Sequence, residues 1–228
     1  MDEAIVEWRR AWELGSGGDP PPADLTRILA GKGRLEELRV SWQKILASNP
    51  ARHDAWFGHA ELCLFLGRTE EYRRARTALL ARFGDTTDPQ IAERTARACL
   101  LLPEEGEELR QAAALADRAA AAGPKHFLYS YFQLVEGFAE YRRGRPEQAI
   151  PLLRESASRI SLLTPRLVLA MAQYRCGHAE EARQTLAAAV AAHDWGEARA
   201  DKVDGWIYHV LRREAEELLG KASAKKKD

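Results

Sequence analysis

The sequence has few cysteines and no long apolar run, and both shortages limit the kind of protein it can be. Its 228 residues include three Cys at scattered positions, which excludes a disulfide framework and favours a reducing compartment, the cytoplasm. No apolar segment reaches the length of a membrane-spanning helix. The first residues, MDEAIVEWRR, have neither the basic start nor the apolar core of a signal peptide. If Met1 is the native start, we therefore expect a cytoplasmic protein with no membrane association.

An excess of charge of one sign is also missing. The 34 Lys and Arg residues are balanced by 34 Asp and Glu residues, so the formal net charge is zero. A nucleic-acid-binding domain normally carries a basic surface, and a nucleic-acid partner is therefore not expected.

Residues that could hold a metal or act as a nucleophile are few and poorly spaced. His53 and His59 lie six positions apart on one predicted helix, whereas a shared metal-binding face would require a spacing of about four. We expect them to be surface or partly packed side chains. Cys63 and Cys99 are expected to be small buried hydrophobes, and Cys176 lies next to a turn. No recognisable nucleophile motif occurs, and we predict no enzyme activity, no cofactor and no metal site.

What the sequence does contain is a repeated helical period. In residues 53–86, HDAWFGHAELCLFLGRTEEYRRARTALLARFGDT, apolar or small residues recur three and four positions apart in both halves. Gly67 separates the halves, and Glu70 and Glu71 follow it where acidic residues favour the start of a helix. The stretch predicts two helices, each with an apolar stripe that needs neighbouring helices to be buried.

The pattern recurs one repeat earlier with no gap, with Gly33 as the turn, Trp42 as an aromatic in the second helix and Pro50 at the close. With Trp56 at the bulky position and Ala60 at the small position, the chain resembles the tetratricopeptide-repeat (TPR) family, whose unit is a helix–turn–helix of about 34 residues. Tyr72, which occupies a position where the family usually has Ala, departs from the pattern.

The resemblance implies an all-α fold, a right-handed superhelical solenoid of antiparallel helix pairs with a C-terminal capping helix. About four full repeats are expected, one unit being weak. The predicted segments are a half repeat at 1–18, units at 19–52, 53–86, 87–126, 127–162 and 163–196, a capping helix at 197–220 and a disordered basic tail at 221–228. Small residues at helix crossings let neighbouring helices approach closely, and we expect Ala60, Ala96, Gly137 and Ala170 at equivalent crossings.

The N-terminal segment reads as the second helix of a repeat, because Ala4, Trp8 and Ala11 match that helix in the family pattern. Two explanations stay open: Met1 begins a piece cut from a longer protein, or the segment is a native capping helix. The first predicts an exposed, self-associating edge that carries Ile5, Trp8 and Trp12.

In TPR proteins the inner sides of the first helices of each pair line a concave groove that binds peptides. Six of the chain's aromatic residues lie within 127–141, and Tyr and Arg are enriched at binding hot spots. The family register places eleven residues in the groove: Phe57, Glu61, Arg97, Tyr131, Leu134, Phe138, Tyr141, Arg142, Met171, Tyr174 and Arg175. Packing of the aromatics against neighbouring helices is the alternative. If the groove binds a partner, Phe138 and Tyr174 should be partly exposed.

The resemblance implies a scaffold or adaptor that binds a protein or peptide. The Asn and Lys clamp of chaperone-binding TPR domains is not expected, because Asn49 is the chain's single Asn. The Arg- and Ala-rich texture and the stretch LRREAEELL are similar to arrays attached to large bacterial serine/threonine kinases and WD40-repeat proteins. The alternative function is therefore a regulatory or structural arm that contacts its own chain.

Overall fold

The chain folds into α-helices joined by short turns. In the computed structural model, which describes residues 2–15 and 19–225, the described residues contain no β-strand. The helices are α1 Asp2–Gly15, α2 Ala23–Gly31, α3 Leu35–Ala47, α4 His59–Phe65, α5 Thr69–Phe83, α6 Pro89–Cys99, α7 Gly106–Ala120, α8 Tyr129–Arg142, α9 Pro146–Arg159, α10 Thr164–Arg175, α11 Ala179–Ala191 and α12 Val203–Lys225, with 3₁₀ turns at His53–Ala55 and Glu197–Arg199.

The helices form two compact units. Unit 1 comprises the residues up to Ala78 together with Asp194–Trp206, and unit 2 comprises Leu79–His193 together with the chain from Ile207 onwards. The helix pairs α2/α3, α4/α5, α6/α7, α8/α9 and α10/α11 lie within the five predicted units between residues 19 and 196. The division into repeats stays a prediction, since the compact units follow different boundaries.

Unit 2 is built from helices that pack against their neighbours along the chain. Helices α6 and α7, α8 and α9, and α10 and α11 pack in pairs, and α7 packs on α8 as α9 does on α10. Only three residues, 143–145, separate α8 from α9, so these two packed helices are antiparallel. Gly144 in this turn has a φ of +75°, a backbone conformation that glycine adopts without steric cost.

Small residues that the sequence predicts at helix crossings are buried. Ala96 and Ala170 are completely buried, and Gly137 is buried as well. A Cβ atom on Gly137 would lie 2.8 Å from Cγ of Leu153 and 3.2 Å from Cβ of Leu152. Helices α8 and α9 therefore approach each other more closely than a larger residue at position 137 would allow.

Side chains complete the helix ends around α6. The Asp88 carboxylate accepts hydrogen bonds from the backbone N–H groups of Gln90 and Ile91, which caps the N-terminus of α6. The Arg118 guanidinium donates to the carbonyl oxygens of Gly84 and Thr86, at 2.9 and 2.7 Å, in the turn that precedes this helix.

Unit 1 has an aromatic core made by distant parts of the chain. Trp42 makes edge-to-face contacts with Trp12 and Trp206, with ring centroids 6.4 Å apart in both pairs. The indole N–H groups of Trp42 and Trp206 each donate to a backbone carbonyl at 2.8 Å, those of Ala55 and Ala200 respectively. Trp206 reaches this core from the predicted capping segment, more than 160 residues after Trp42 in the sequence.

The predicted first helix of residues 53–86 is interrupted. Gly58 has a φ of +104°, and α4 begins only at His59, so Trp56 lies in a turn and not on a helix. A Cβ atom on Gly58 would lie 2.7 Å from Val203 and 2.8 Å from Trp42. The side chains of these distant residues fill the space beside Gly58, which the local helical pattern does not show.

The N-terminal and C-terminal predictions also need correction. Ile5 and Trp12 are 3% and 5% exposed and belong to the core of unit 1, so the predicted sticky edge is wrong for both, whereas Trp8 is 37% exposed. One side of α1 is packed in the core of unit 1, which removes those two side chains from solvent. Helix α12 runs to Lys225 and does not end at residue 220; residues 226–228 of the predicted tail lie outside the described residues.

Among the helices of the described chain, none combines the length and apolar character required to cross a bilayer.

Candidate partner-binding site

The predicted groove residues are divided between the two units. Phe57 and Glu61 belong to unit 1, where Phe57 is half-buried and Glu61 is buried. The remaining nine belong to unit 2. We call the eight of these on α8 and α10 the inner face of unit 2: Tyr131, Leu134, Phe138, Tyr141, Arg142, Met171, Tyr174 and Arg175.

Four residues of the inner face are core residues. Leu134, Phe138 and Met171 have no exposed surface and Tyr141 is 7% exposed, so the expectation of a partly exposed Phe138 is wrong. The Arg142 guanidinium lies 5.0 Å from the centre of the Phe138 ring and 5.4 Å from that of Tyr141, and it covers both rings through cation–π contacts. The alternative interpretation, in which these aromatics pack within the fold, is therefore correct for Phe138.

Arg97 on α6 is also withdrawn from solvent. Its guanidinium lies 2.9 Å from the Glu93 carboxylate, and the two side chains are 6% and 5% exposed. A buried charge is stabilised only when an opposite charge lies close to it, and Glu93, one helical turn earlier, supplies that charge. Arg97 is therefore a structural ion-pair residue in this state of the chain.

Three inner-face residues remain in contact with solvent. Tyr131 and Tyr174 are half-buried and Arg175 is exposed, so the expectation for Tyr174 agrees with the structure. Arg175 and Tyr174 adjoin at the C-terminal end of α10, where a partner can reach both side chains.

A cavity of about 480 Å³ opens at this end of the inner face. Tyr141, Arg142 and Arg175 contribute the predicted part of its lining, and the other lining residues are Pro103, Gly144, Pro146, Glu147 and Glu214. Arg175 donates a hydrogen bond to the Tyr141 phenol, while burial, and next the nearby charge of Glu214, raise the phenol's pKa. The phenol therefore stays protonated and can donate a hydrogen bond to a ligand.

The structure adds residues that the sequence argument missed. Glu147 lies beyond the Gly144 turn, and Glu214 lies on a side of α12 that the sequence pattern assigns to solvent. The cavity is therefore lined by two carboxylates and two guanidinium groups. The nearest sequence signal is the acidic run Glu214, Glu216 and Glu217, but this run does not show which carboxylate faces inward.

Arg142 is the most restrained side chain of the inner face. It donates to the carbonyl oxygens of Leu100 and Leu101 at 2.7 and 2.9 Å, just beyond the end of α6. It also donates to both carboxylate oxygens of Glu214, at 2.5 and 2.7 Å. One guanidinium thus connects α8 with the end of α6 and with α12.

A cysteine–histidine pair in unit 1 resembles a catalytic pair in composition alone. The Cys63 sulfur lies 3.7 Å from Nε2 of His59, and both side chains are buried. His53 is buried as well. The expectation that these two histidines are surface or partly packed side chains is therefore wrong. Burial is the main cause that lowers the pKa of His59 to about 4, and the charge of Arg39 adds to it. Burial is also the main cause that raises the pKa of Cys63 to about 12, and the charge of Glu71 adds to it. Both groups are neutral near pH 7, so no reactive thiolate forms there.

Within residues 2–15 and 19–225, no cluster of three or more His, Cys, Asp or Glu side chains has the arrangement of a metal site.

Comparison with protein-family models gives no match, and comparison with curated proteins gives none either. Among solved structures, the chain is similar to the crystal structure of a thermophilic TPR protein from Thermus thermophilus. The two sequences are 20% identical, the match covers 87% of this chain and 97% of that one, and the TM-score is 0.53. At this level of identity the likeness establishes the fold. Together with the packed helix pairs, it shows that this chain has an all-α TPR-type fold, as the sequence resemblance predicts.

Proposed function

We propose that the chain is a protein–protein interaction scaffold or adaptor that binds a protein segment at the inner face of unit 2. The observation that carries this proposal is the cavity at the ends of α8 and α10, where Tyr141, Arg142 and Arg175 converge. A TPR-type fold is typically a binding scaffold without catalytic activity, and Tyr and Arg are the residue types that most often carry binding energy. The proposal includes a cytoplasmic location, which the scarcity of cysteine favours.

The charges of the cavity favour a polar partner segment. Arg175 is exposed and its guanidinium reaches the Tyr141 phenol, so it can donate to a carboxylate or a backbone carbonyl of a ligand. Glu147, which lines the same cavity, can accept a hydrogen bond from a ligand amide or ammonium group. The half-buried ring of Tyr174 adds apolar contact area next to these groups.

A pull-down with a charge-reversed variant tests the proposal. Arg175→Glu should lose partners that the wild-type chain captures from a lysate, as read by quantitative mass spectrometry, because it places a carboxylate where the ligand meets a guanidinium. Arg183→Glu is the matched control, since Arg183 is exposed on α11 outside the cavity. Capture of the same partners by the wild type and by Arg175→Glu would place the binding site elsewhere.

A second candidate function is a regulatory or structural arm of a larger bacterial protein, of the kinase or WD40 type, that contacts its own chain. The observation that favours it is the exposure of three apolar side chains of α1: Val6, Trp8 and Leu14 are 41%, 37% and 79% exposed. If these side chains form contacts between chains, the isolated chain should self-associate with rising concentration in gel filtration. Trp8→Lys should then elute as a monomer. A wild-type chain that is monomeric at every concentration would count against this candidate.

A further inference from the structure

Helix α12 presents an apolar side from Ile207 onwards, although it follows the last helix pair. Five apolar positions of this part are buried on one helical side, Ile207, Val210, Leu211, Ala215 and Leu219, and Tyr208 is buried as well. The five are spaced by three, one, four and four residues, which is the spacing of an amphipathic helix packed along one surface. A long side of α12 is therefore withdrawn from solvent.

Helix α12 contacts the inner face of unit 2 through Glu214. Glu214 follows Leu211 by three positions and accepts both hydrogen bonds from Arg142. The Arg142 side chain is 3% exposed and that of Glu214 is 23% exposed, so the pair is closed to water on the side of α8. Leu134 and Phe138, on the same helix as Arg142, have no exposed surface. Helix α12 therefore contacts the part of the predicted ligand groove that carries Tyr141 and Arg142.

The buried Arg142 guanidinium requires the charge of Glu214. A guanidinium that is almost completely buried needs a countercharge, and removal of that charge leaves a costly unpaired cation. The other groups that Arg142 contacts, the Leu100 and Leu101 carbonyls and the Phe138 and Tyr141 rings, carry no formal charge. Glu214 therefore supplies the countercharge, and any ligand that replaces α12 must supply one too.

The contact between α12 and the inner face is open at one edge. The cavity of about 480 Å³ lies beside Glu214, and Glu214 and Arg142 both line it. An element with an open edge separates at a lower free energy than an element that is enclosed on every side.

We propose that α12 is an intramolecular ligand of the inner face, and that the partner binds there as an amphipathic helix that displaces it. The proposal rests on the scaffold function and specifies the partner's chemistry. Relative to Ile207, the partner helix carries apolar residues at the first, fourth, fifth and ninth positions and a carboxylate at the eighth, the position of Glu214. The chain then exists in a closed form, with α12 seated, and an open form that accepts the partner.

The test uses the full chain and a fluorescent synthetic peptide of residues 203–219, with fluorescence anisotropy as the readout. Glu214→Arg opposes the charge of Arg142 and should release α12, so the variant should bind the wild-type peptide about tenfold more tightly than the wild-type chain does. A peptide that carries the same Glu-to-Arg change should not bind either chain. Glu216→Arg is the matched control, because Glu216 is exposed and pairs only with Arg212 in the contacts described; it should bind like the wild type.

Hydrogen exchange in the same samples shows whether α12 separates while the rest of unit 2 stays folded. The proposal predicts that amides in 207–219 lose protection in Glu214→Arg, while those of α8 and α10 keep it. Equal peptide binding by Glu214→Arg and by the wild type would overturn the proposal. Loss of α8 protection in Glu214→Arg and also in the milder Glu214→Gln would overturn it as well, because α12 would then be part of the core. In either case the scaffold function would still be tested separately by the Arg175→Glu pull-down.

Discussion

At the scale of single residues, the buried imidazole of His59 connects stability to pH. Its pKa is lowered to about 4 by burial and by the nearby charge of Arg39, whereas an unfolded histidine titrates near 6.5. Between these values the unfolded chain binds a proton that the folded chain does not, so the free energy of unfolding falls as pH is lowered. We expect a loss of about 3 kcal/mol from this group between pH 7 and pH 4.

The variant His59→Gln isolates this effect. It removes the titrating group, so its free energy of unfolding, measured by urea titration at pH 7, 5.5 and 4.5, should decline less steeply than that of the wild type. The acidic groups with lowered pKa values, Glu13, Glu36 and Glu37, titrate in both proteins and cancel in the comparison. Parallel pH dependences of the two proteins would show that His59 is not buried in its neutral form.

The cysteines should differ in reactivity. Cys63 and Cys99 are buried and Cys176 is half-buried, and the pKa of Cys63 is raised to about 12. Since the thiolate is the reactive form, a thiol reagent at pH 8 should label Cys176 alone in the folded chain. The reagent should label all three thiols after unfolding. Rapid labelling of a second thiol in the folded chain would contradict the burial of Cys63 and Cys99.

Sequence reasoning predicts some of these residues well and others poorly. The burial of Cys63 and Cys99 follows from the helical period, which is a local property. The burial of His59 depends on the Trp42 ring, whose centroid lies 5.9 Å from the imidazole and which arrives from α3. No local pattern around His59 contains that information, and for this reason the surface expectation was wrong.

At the scale of elements, the close approach of α8 and α9 depends on Gly137. In an isolated helix, replacement of Gly by Ala is stabilising by about 1 kcal/mol. At position 137, however, the new Cβ would lie 2.8 Å from Cγ of the buried Leu153 and 3.2 Å from Cβ of Leu152, so these neighbours would have to shift. We expect Gly137→Ala to be destabilising by about 1 kcal/mol and Gly137→Leu by about 1–3 kcal/mol in urea unfolding.

The matched control is Gly220→Ala. Gly220 lies within α12 and a Cβ atom there would meet nothing within 4 Å, so helix propensity alone should act. We expect this variant to be unchanged or more stable by up to about 1 kcal/mol. If Gly137→Ala were as stable as Gly220→Ala, the close crossing of α8 and α9 would be contradicted.

The helices themselves are largely predictable, whereas their interruptions are not. The turns at Gly33, Gly67, Gly144 and Gly177 and the start of α2 after Pro22 follow from local chemistry. The break at Gly58 has a different origin, because Trp42 and Val203 fill the adjacent space. A periodic pattern reports which residues prefer to be buried, but it does not report which distant side chain occupies a given position.

At the scale of the whole molecule, the repeat pattern predicts the TPR-type fold. It also predicts which helices carry the inner-face residues. The pattern does not predict which of them solvent reaches. Phe138 and Leu134 match the groove register yet are buried, while Tyr174 and Arg175 remain accessible. The burial of Arg142, which covers the Phe138 ring, involves Glu214 of α12, 72 residues away in a segment whose own sequence reads as a terminal cap.

The account's central claim is that partners bind at the inner face of unit 2, and site-specific photo-crosslinking tests it most directly. A photoreactive phenylalanine analogue in place of the half-buried Tyr174 keeps an aromatic ring there, and the same analogue at the exposed Ala188 of α11 is the control. We predict that, on irradiation in a lysate, the chain labelled at Tyr174 forms covalent adducts with a defined set of proteins that the chain labelled at Ala188 does not form. Equal adducts at both positions, or adducts only at Ala188, would contradict the inner face as the binding surface.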